Sequence, residues 1–238
     1  MYLDRYGSGR NMKKLITVII SIVFLLCGYD ISVSADIHSG FSSDAVDAVK
    51  QNSIFKGLEV QKTDQEYHGG NKISNFSVSN SHTVAIGFSS GEINIYNEKG
   101  EYQYGFHIKE EGSFRVLFDS KDQELIFYLV RGDYLVKIDK DGNLVEVRGA
   151  LQTNANNSYT YELESKKIVV GNIIYQCEKG TKLTKINSNG DNIIIFDNTA
   201  EYREKMIFIL VAAIIILVVT LGVVATSLKS KHNKLEKN

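Results

Sequence analysis

The chain has 238 residues, a net charge of −1, 13 Tyr, 11 Phe and two cysteines, with neither proline nor tryptophan. The total hides an asymmetry: residues 36–205 carry 25 Asp and Glu against 19 Lys and Arg, a net of −6, whereas the two flanks hold 8 basic and 3 acidic residues. An acidic middle region speaks against nucleic acid or anionic lipid as its partner, and with Cys177 as its single thiol it has no internal disulfide to rely on.

Lys13 and Lys14 precede an apolar stretch from Leu15 to Cys27 that ends in Gly28, Tyr29 and Asp30. A basic start and a short apolar core are the pattern of a signal peptide, and Val33-Ser34-Ala35 puts small residues where signal peptidase reads. Residues 1–35 are therefore expected to be removed, with Asp36 as the mature N-terminus and translation starting at Met12; a retained anchor is the alternative. Cys27 follows Leu26 rather than a small residue, which argues against lipid modification.

Residues 36–72 form an N-terminal segment in which Ser43-Asp44 is expected to cap a short helix through about Asn52, followed by a loop at His68-Gly69-Gly70-Asn71. From residue 73 to 203 the chain turns to short β-branched and aromatic runs separated by polar turns, and this stretch is expected to be the extracytoplasmic β domain. The expected strands include Phe76–Val78, Thr83–Phe88, Phe114–Phe118, Leu125–Val130, Tyr159–Leu163 and Lys167–Val170. In pairs, they precede three hairpins of one pattern: Ile95-Tyr96-Asn97-Glu98-Lys99-Gly100-Glu101, Lys137-Ile138-Asp139-Lys140-Asp141-Gly142-Asn143 and Lys185-Ile186-Asn187-Ser188-Asn189-Gly190-Asp191. Asp or Asn bonds its own nearby backbone and Gly takes the positive φ that closes the turn. The glycines lie 42 and 48 residues apart, the spacing of a four-stranded repeat.

On these hairpins the chain resembles β-propeller-type repeat proteins of the WD40, NHL and PQQ-like architecture, over about residues 73–200. No specific family is identified, because there is no Trp-Asp dipeptide and no Gly-His pair opening a repeat. The resemblance implies an all-β exported domain of three or four propeller-like four-stranded repeats. Ile54–Gln61 as part of a fourth repeat, a second copy of the chain, or an open meander are the ways in which such an arrangement ends.

Several motifs resemble catalytic or metal sites and are better explained by turns. Gly87-Phe88-Ser89-Ser90-Gly91 matches G-x-S-x-G, but Glu92-Ile93-Asn94-Ile95-Tyr96 behind it alternates as a strand where the nucleophile elbow needs a helix. His107 and Glu110 lack a second histidine at zinc spacing, and Asp139, Asp141 and Asn143 open like a calcium loop without its closing glutamate. Cys177 follows Ile173, Ile174 and Tyr175 and is expected to be buried, while Asn75 and Asn156 begin N-x-S sequons. Tyr102, Tyr104 and Phe106 alternate along one run, and their faces are undecided. No catalytic, metal or cofactor-binding residue is assigned, no cofactor is expected, and the chain is expected not to be an enzyme.

Met206 to Leu228 runs without a charged side chain, and Lys229, Lys231, His232, Lys234 and Lys237 follow in the tail 229–238. A helix of this length spans about 34 Å, enough for a hydrocarbon core of about 30 Å. Basic residues before the first apolar segment and after the last place both in the cytoplasm and the domain between them outside the cell membrane. The expected role is a membrane-anchored platform that binds a protein or cell-surface ligand, integral to the bilayer, with homo-oligomerisation as an option and no nucleic acid. The alternative is an accessory or sensor subunit of a membrane complex, such as a transporter, that makes its contacts through the transmembrane helix.

Overall fold

The computed structural model describes residues 39–109, 112–121, 124–163 and 165–235. The expected signal peptide, Met12, Cys27 and Asp36 lie outside the described residues. The elements in order are β1 (Ser43–Ala45), α1 (Ala48–Gly57), β2 (Glu59–Thr63), β3 (Ile73–Val78), β4 (Val84–Phe88), β5 (Glu92–Tyr96), β6 (Tyr102–Lys109), β7 (Phe114–Phe118), β8 (Leu125–Leu129), β9 (Tyr134–Ile138) and β10 (Leu144–Ala150). They continue with α2 (Asn154–Leu163), β11 (Lys167–Val170), β12 (Ile173–Glu178), β13 (Lys182–Ile186), β14 (Asn192–Asp197) and α3 (Thr199–Leu235).

The fold is mostly antiparallel β-sheet with one apolar C-terminal helix. Sheet I runs β2-β6-β5-β4-β3, sheet II β1-β10-β9-β8-β7 and sheet III β11-β12-β13-β14. All three expected hairpins are present with one set of hydrogen bonds. The amides of Asn97, Asp139 and Asn187 donate to the carbonyls of Glu101, Asn143 and Asp191, at 3.0, 3.0 and 2.9 Å. The amides of Gly100, Gly142 and Gly190 return to the carbonyls of those same first residues, with φ of +81°, +87° and +88°.

Sheet I is the middle layer. One of its faces, with Ala85, Ile93, Ile95 and Phe106, packs on Phe114, Phe127 and Val136 of sheet II. Its other face, with Phe76, Ile86, Phe88 and Tyr96, packs on Tyr175, Leu183 and Phe196 of sheet III. The far face of sheet II carries Leu117, Ile126, Tyr128 and Leu135 and is capped by Phe41, whose ring lies 4.7 Å from that of Tyr128. Each large apolar side chain buried this way contributes about 1.5–3 kcal/mol.

Four expectations change. Ser43 and Asp44 do not cap a helix; they form β1 against Gly149 and Ala150, and Asp47 caps α1 by accepting from the Lys50 amide at 2.9 Å. Ile54–Gln61 begins no further repeat: its first half ends α1 and its second half, in β2, pairs with β6, so β2 is a fifth strand of sheet I as β1 is of sheet II. Tyr159–Leu163 is helical, because Thr153 starts α2 with its hydroxyl accepting from the Asn156 amide at 3.1 Å, and the alternation that follows is overridden. The first two strands of sheet III are consequently β11 and β12.

The register shift between Ile95 and Tyr96 resolves the aromatic run. Tyr104 and Phe106 face sheet II, while Tyr102 turns to the opposite face and meets the Tyr96 ring at 5.9 Å. Helix α3 begins two residues after β14 and contains the one stretch, among the described residues, long and apolar enough to cross a membrane. Its apolar side chains from Met206 to Leu221 are largely uncovered by the rest of the protein.

Candidate functional site

β6 is paired on both sides, with Gln61 of β2 and Glu92 of β5 opposite the same residue, His107. Glu92 Oε1 lies 3.0 Å from His107 Nδ1, which orients the imidazole. Beyond Thr63 the chain leaves β2 and folds over this part of the sheet, adding Gln65, Glu66 and Tyr67 to the wall of a cleft of about 410 Å³.

The wall is fixed from below by a buried polar network. Asn94 accepts from the Tyr67 amide and donates to the Tyr67 carbonyl, both at 3.0 Å, and also donates to the Tyr96 hydroxyl at 2.9 Å. That hydroxyl donates to Glu66 Oε1 at 2.7 Å, and Glu66 Oε2 lies 3.2 Å from His68 Nε2. Burial, then the hydrogen bond and charge of Glu66, hold the Tyr96 hydroxyl far above the ordinary tyrosine range, so it stays a donor. Burial and the charges of Glu66 and Asp64 push Tyr102 up to about 12. The cleft thus presents two carboxylates and an imidazole on a rigid floor. This set suits a ligand with cationic or hydrogen-bond-donating groups.

Past Tyr67 the loop runs on to the start of α3. The Asn198 side chain donates to the carbonyls of Gly69 and Asn71, and Lys205 donates to the Asn71 side chain. Lys72 lies over the Tyr202 ring at 5.2 Å. A side chain at Gly70 would strike the Glu201 carbonyl, its Cβ coming within 2.7 Å, so glycine lets the loop lie against the helix.

The residues singled out in the sequence take other places. Ser89 sits in the tight turn between β4 and β5, where Gly91 has φ +93° and β5 follows at once, so the strand-to-helix elbow is absent. A separate groove of about 250 Å³ beside this turn brings Ser89 and Ser90 near Ser113 and Arg115. Glu110 lies outside the described residues, and the carboxylate beside His107 is Glu92. Asp139 Oδ1 is occupied by the amides of Asp141 and Asn143, at 2.9 and 2.8 Å, and the Asn143 side chain, donating to Oδ2 at 2.8 Å, with these amides after it holds the carboxyl below the usual range. Cys177 is buried, which pushes its thiol up. Both sequon asparagines are buried: Asn75 donates to the Val116 carbonyl, and Asn156 to those of Ser42 and Leu151. Among the described residues no group of three or more His, Cys, Asp or Glu is placed to hold a metal ion.

No protein-family model matches the chain, and no curated protein matches it. Among solved structures it is similar to a selenomethionine-substituted virginiamycin B lyase from Staphylococcus aureus, at 15% identity and a TM-score of 0.28, over 58% of this chain and 45% of that one. It is also similar to a streptogramin B lyase, at 12% identity and a TM-score of 0.26, over 59% of this chain and 45% of that one. The chain thus spans less than half the length of either. The expectation that it is not an enzyme is corrected here, because both of these structures are of enzymes and the likeness offers no ground for excluding catalysis. At these TM-scores it transfers no activity or substrate either.

Proposed function

We propose that the chain is a membrane-anchored extracytoplasmic domain of propeller-like repeats that binds a protein or cell-surface ligand, with the cleft of Glu66, Glu92 and His107 as its contact. The observation that carries this reading is the cleft itself: a polar recess whose walls are held by the Tyr67–Asn94–Tyr96–Glu66 network yet whose Glu92 and His107 remain open to solvent. A preorganised recess of this kind lowers the ordering cost of binding. Its carboxylates, in a region of net charge −6, favour a ligand that presents basic or donor groups. The three hairpins of one geometry support the propeller-like description, and the apolar α3 supports the anchor.

The test is crosslinking on intact cells followed by recovery of the tagged chain, with Glu92→Gln/His107→Gln compared with the parent. A partner recovered with the parent and lost from the double variant is the expected result. A partner recovered equally from both excludes the cleft.

A second reading, that the chain is a sensor or accessory subunit of a membrane complex, is favoured by one observation. The loop whose first residues wall the cleft is hydrogen-bonded further along, at Gly69 and Asn71, to Asn198 and Lys205 at the head of α3, so one loop joins the cleft to the helix. Exchanging residues 206–228 for an unrelated apolar span separates the two readings: a platform keeps its partner, and a subunit that contacts partners through the helix loses it.

A further inference from the structure

The sheets share one row of side chains across their first three strands: Val78–Val84–Tyr96 in sheet I, Phe118–Leu125–Ile138 in sheet II and Val169–Ile174–Ile186 in sheet III. Sheet II buries its row against sheet I, and sheet I buries its row against sheet III. Val84, Tyr96, Leu125 and Ile138 are all buried. Among the described residues the row of sheet III has no sheet upon it: Val169, on the edge strand β11, is 57% exposed, and Ile194, on the opposite edge strand β14, is 54% exposed. The turns follow the same order. A Cβ at Gly142 would touch Phe106 of sheet I, and one at Gly100 would touch Ile195 of sheet III, but one at Gly190 would meet none of the described residues within 4 Å.

We infer that this face of sheet III is the contact through which two copies of the chain pair in the membrane. The occupant is indicated by the molecule's own packing, since the same row in sheets I and II is covered by a sheet of this chain. It is the corresponding face of a second copy rather than that copy's opposite end, because the far face of sheet II is already filled by Phe41. The contact is therefore self-complementary about a two-fold axis. Charges around it balance, with Lys167 and Lys182 set against Glu178 and Asp197, so like faces meet without net repulsion. Because α3 starts two residues after β14, insertion of two chains in one bilayer holds both sheets III at the same height and confines their search to the membrane plane. The pairing goes beyond the proposed function and requires no ligand in the cleft.

The test uses the full chain in membranes. With p-benzoyl-phenylalanine in place of Ile194, illumination is expected to give an adduct of two copies, whereas the same residue in place of Val49, 81% exposed on α1, gives none. Val169→Glu with Ile194→Glu is expected to abolish the dimer in light scattering of the solubilised chain. Both side chains are more than half exposed, so the folded protomer tolerates the change. Adducts at Ile194 only to lipid or to a different protein, equal adducts from both positions, or a dimer that survives the double Glu variant would each overturn the inference. A partner recovered equally from the parent and from Glu92→Gln/His107→Gln, with the dimer intact, would overturn the proposed function alone.

Discussion

Asn198 and Asn71 are joined by a hydrogen bond of 2.8 Å from the Asn198 side-chain amide to the Asn71 carbonyl, across 127 residues of sequence. The same amide reaches the Gly69 carbonyl at 2.9 Å, so one fully buried side chain ties the cleft loop to the last residue before α3. Asn198→Ala leaves two carbonyls without this donor and is expected to cost about 1–3 kcal/mol. Urea unfolding measures the loss, and proteolysis in the 64–72 loop is expected to accelerate along with it.

Lys137 lies on the buried face of β9 at 1% exposure, 3.5 Å from Asp119 Oδ2 and 2.8 Å from Glu124 Oε2. Asp119 is fully buried, so Lys137→Ala removes a cation from a carboxylate that water cannot reach. The expected loss is about 3–5 kcal/mol. Lys137→Ala/Asp119→Ala is expected to recover part of it, because the stranded charge goes too. A double-mutant cycle by denaturant unfolding checks both statements.

The tyrosines beside Glu66 give a pH signature. Tyr102 is held near 12 by burial and by the charges of Glu66 and Asp64. A raised folded-state value means that the stabilisation is complete below the unfolded value of 10 and is lost as pH rises from 10 through 12. Ultraviolet titration of tyrosinate is expected to show this late ionisation, and Glu66→Gln to bring it back towards 10.

The three turn glycines share a positive φ but not a neighbourhood. Alanine at any of them carries a backbone cost of about 1–2 kcal/mol. At Gly100 its Cβ would also press on Ile195 Cδ1 at 2.9 Å, whereas at Gly190 the space is open. Gly100→Ala is expected to lower the melting temperature more than Gly190→Ala, and calorimetry of the two variants decides the order.

The hairpins were legible because their chemistry is local: Asn or Asp and Gly at fixed offsets dictate the turn whatever surrounds it. The fifth strands were not, because β1 and β2 owe their state to edges presented by β10 and β6, far along the chain. Helix α2 was missed because the Thr153 cap outweighed an alternating Tyr-Thr-Tyr run. The pairing of Glu92 with His107 depends on a single inserted residue. Counting outward from the Asn97–Glu101 turn without a bulge sets Glu92 opposite Phe106; the shift at Ile95 and Tyr96 moves it to His107. Glu110, close in sequence, drew attention that belonged to Glu92, close in space.

The burial of Asn75 and Asn156 has a consequence for producing the protein. An oligosaccharyltransferase in a eukaryotic secretory pathway acts on the emerging chain before either amide is enclosed. A glycan on Asn75 would then occupy the space where its amide meets the Val116 carbonyl between sheets I and II. One on Asn156 would replace one of the two side-chain N–H groups that hold Ser42 and Leu151. Secretion from such a host is expected to yield misassembled, retained material unless Ser77 and Ser158 are first replaced by alanine. A host that leaves both asparagines bare needs no such change.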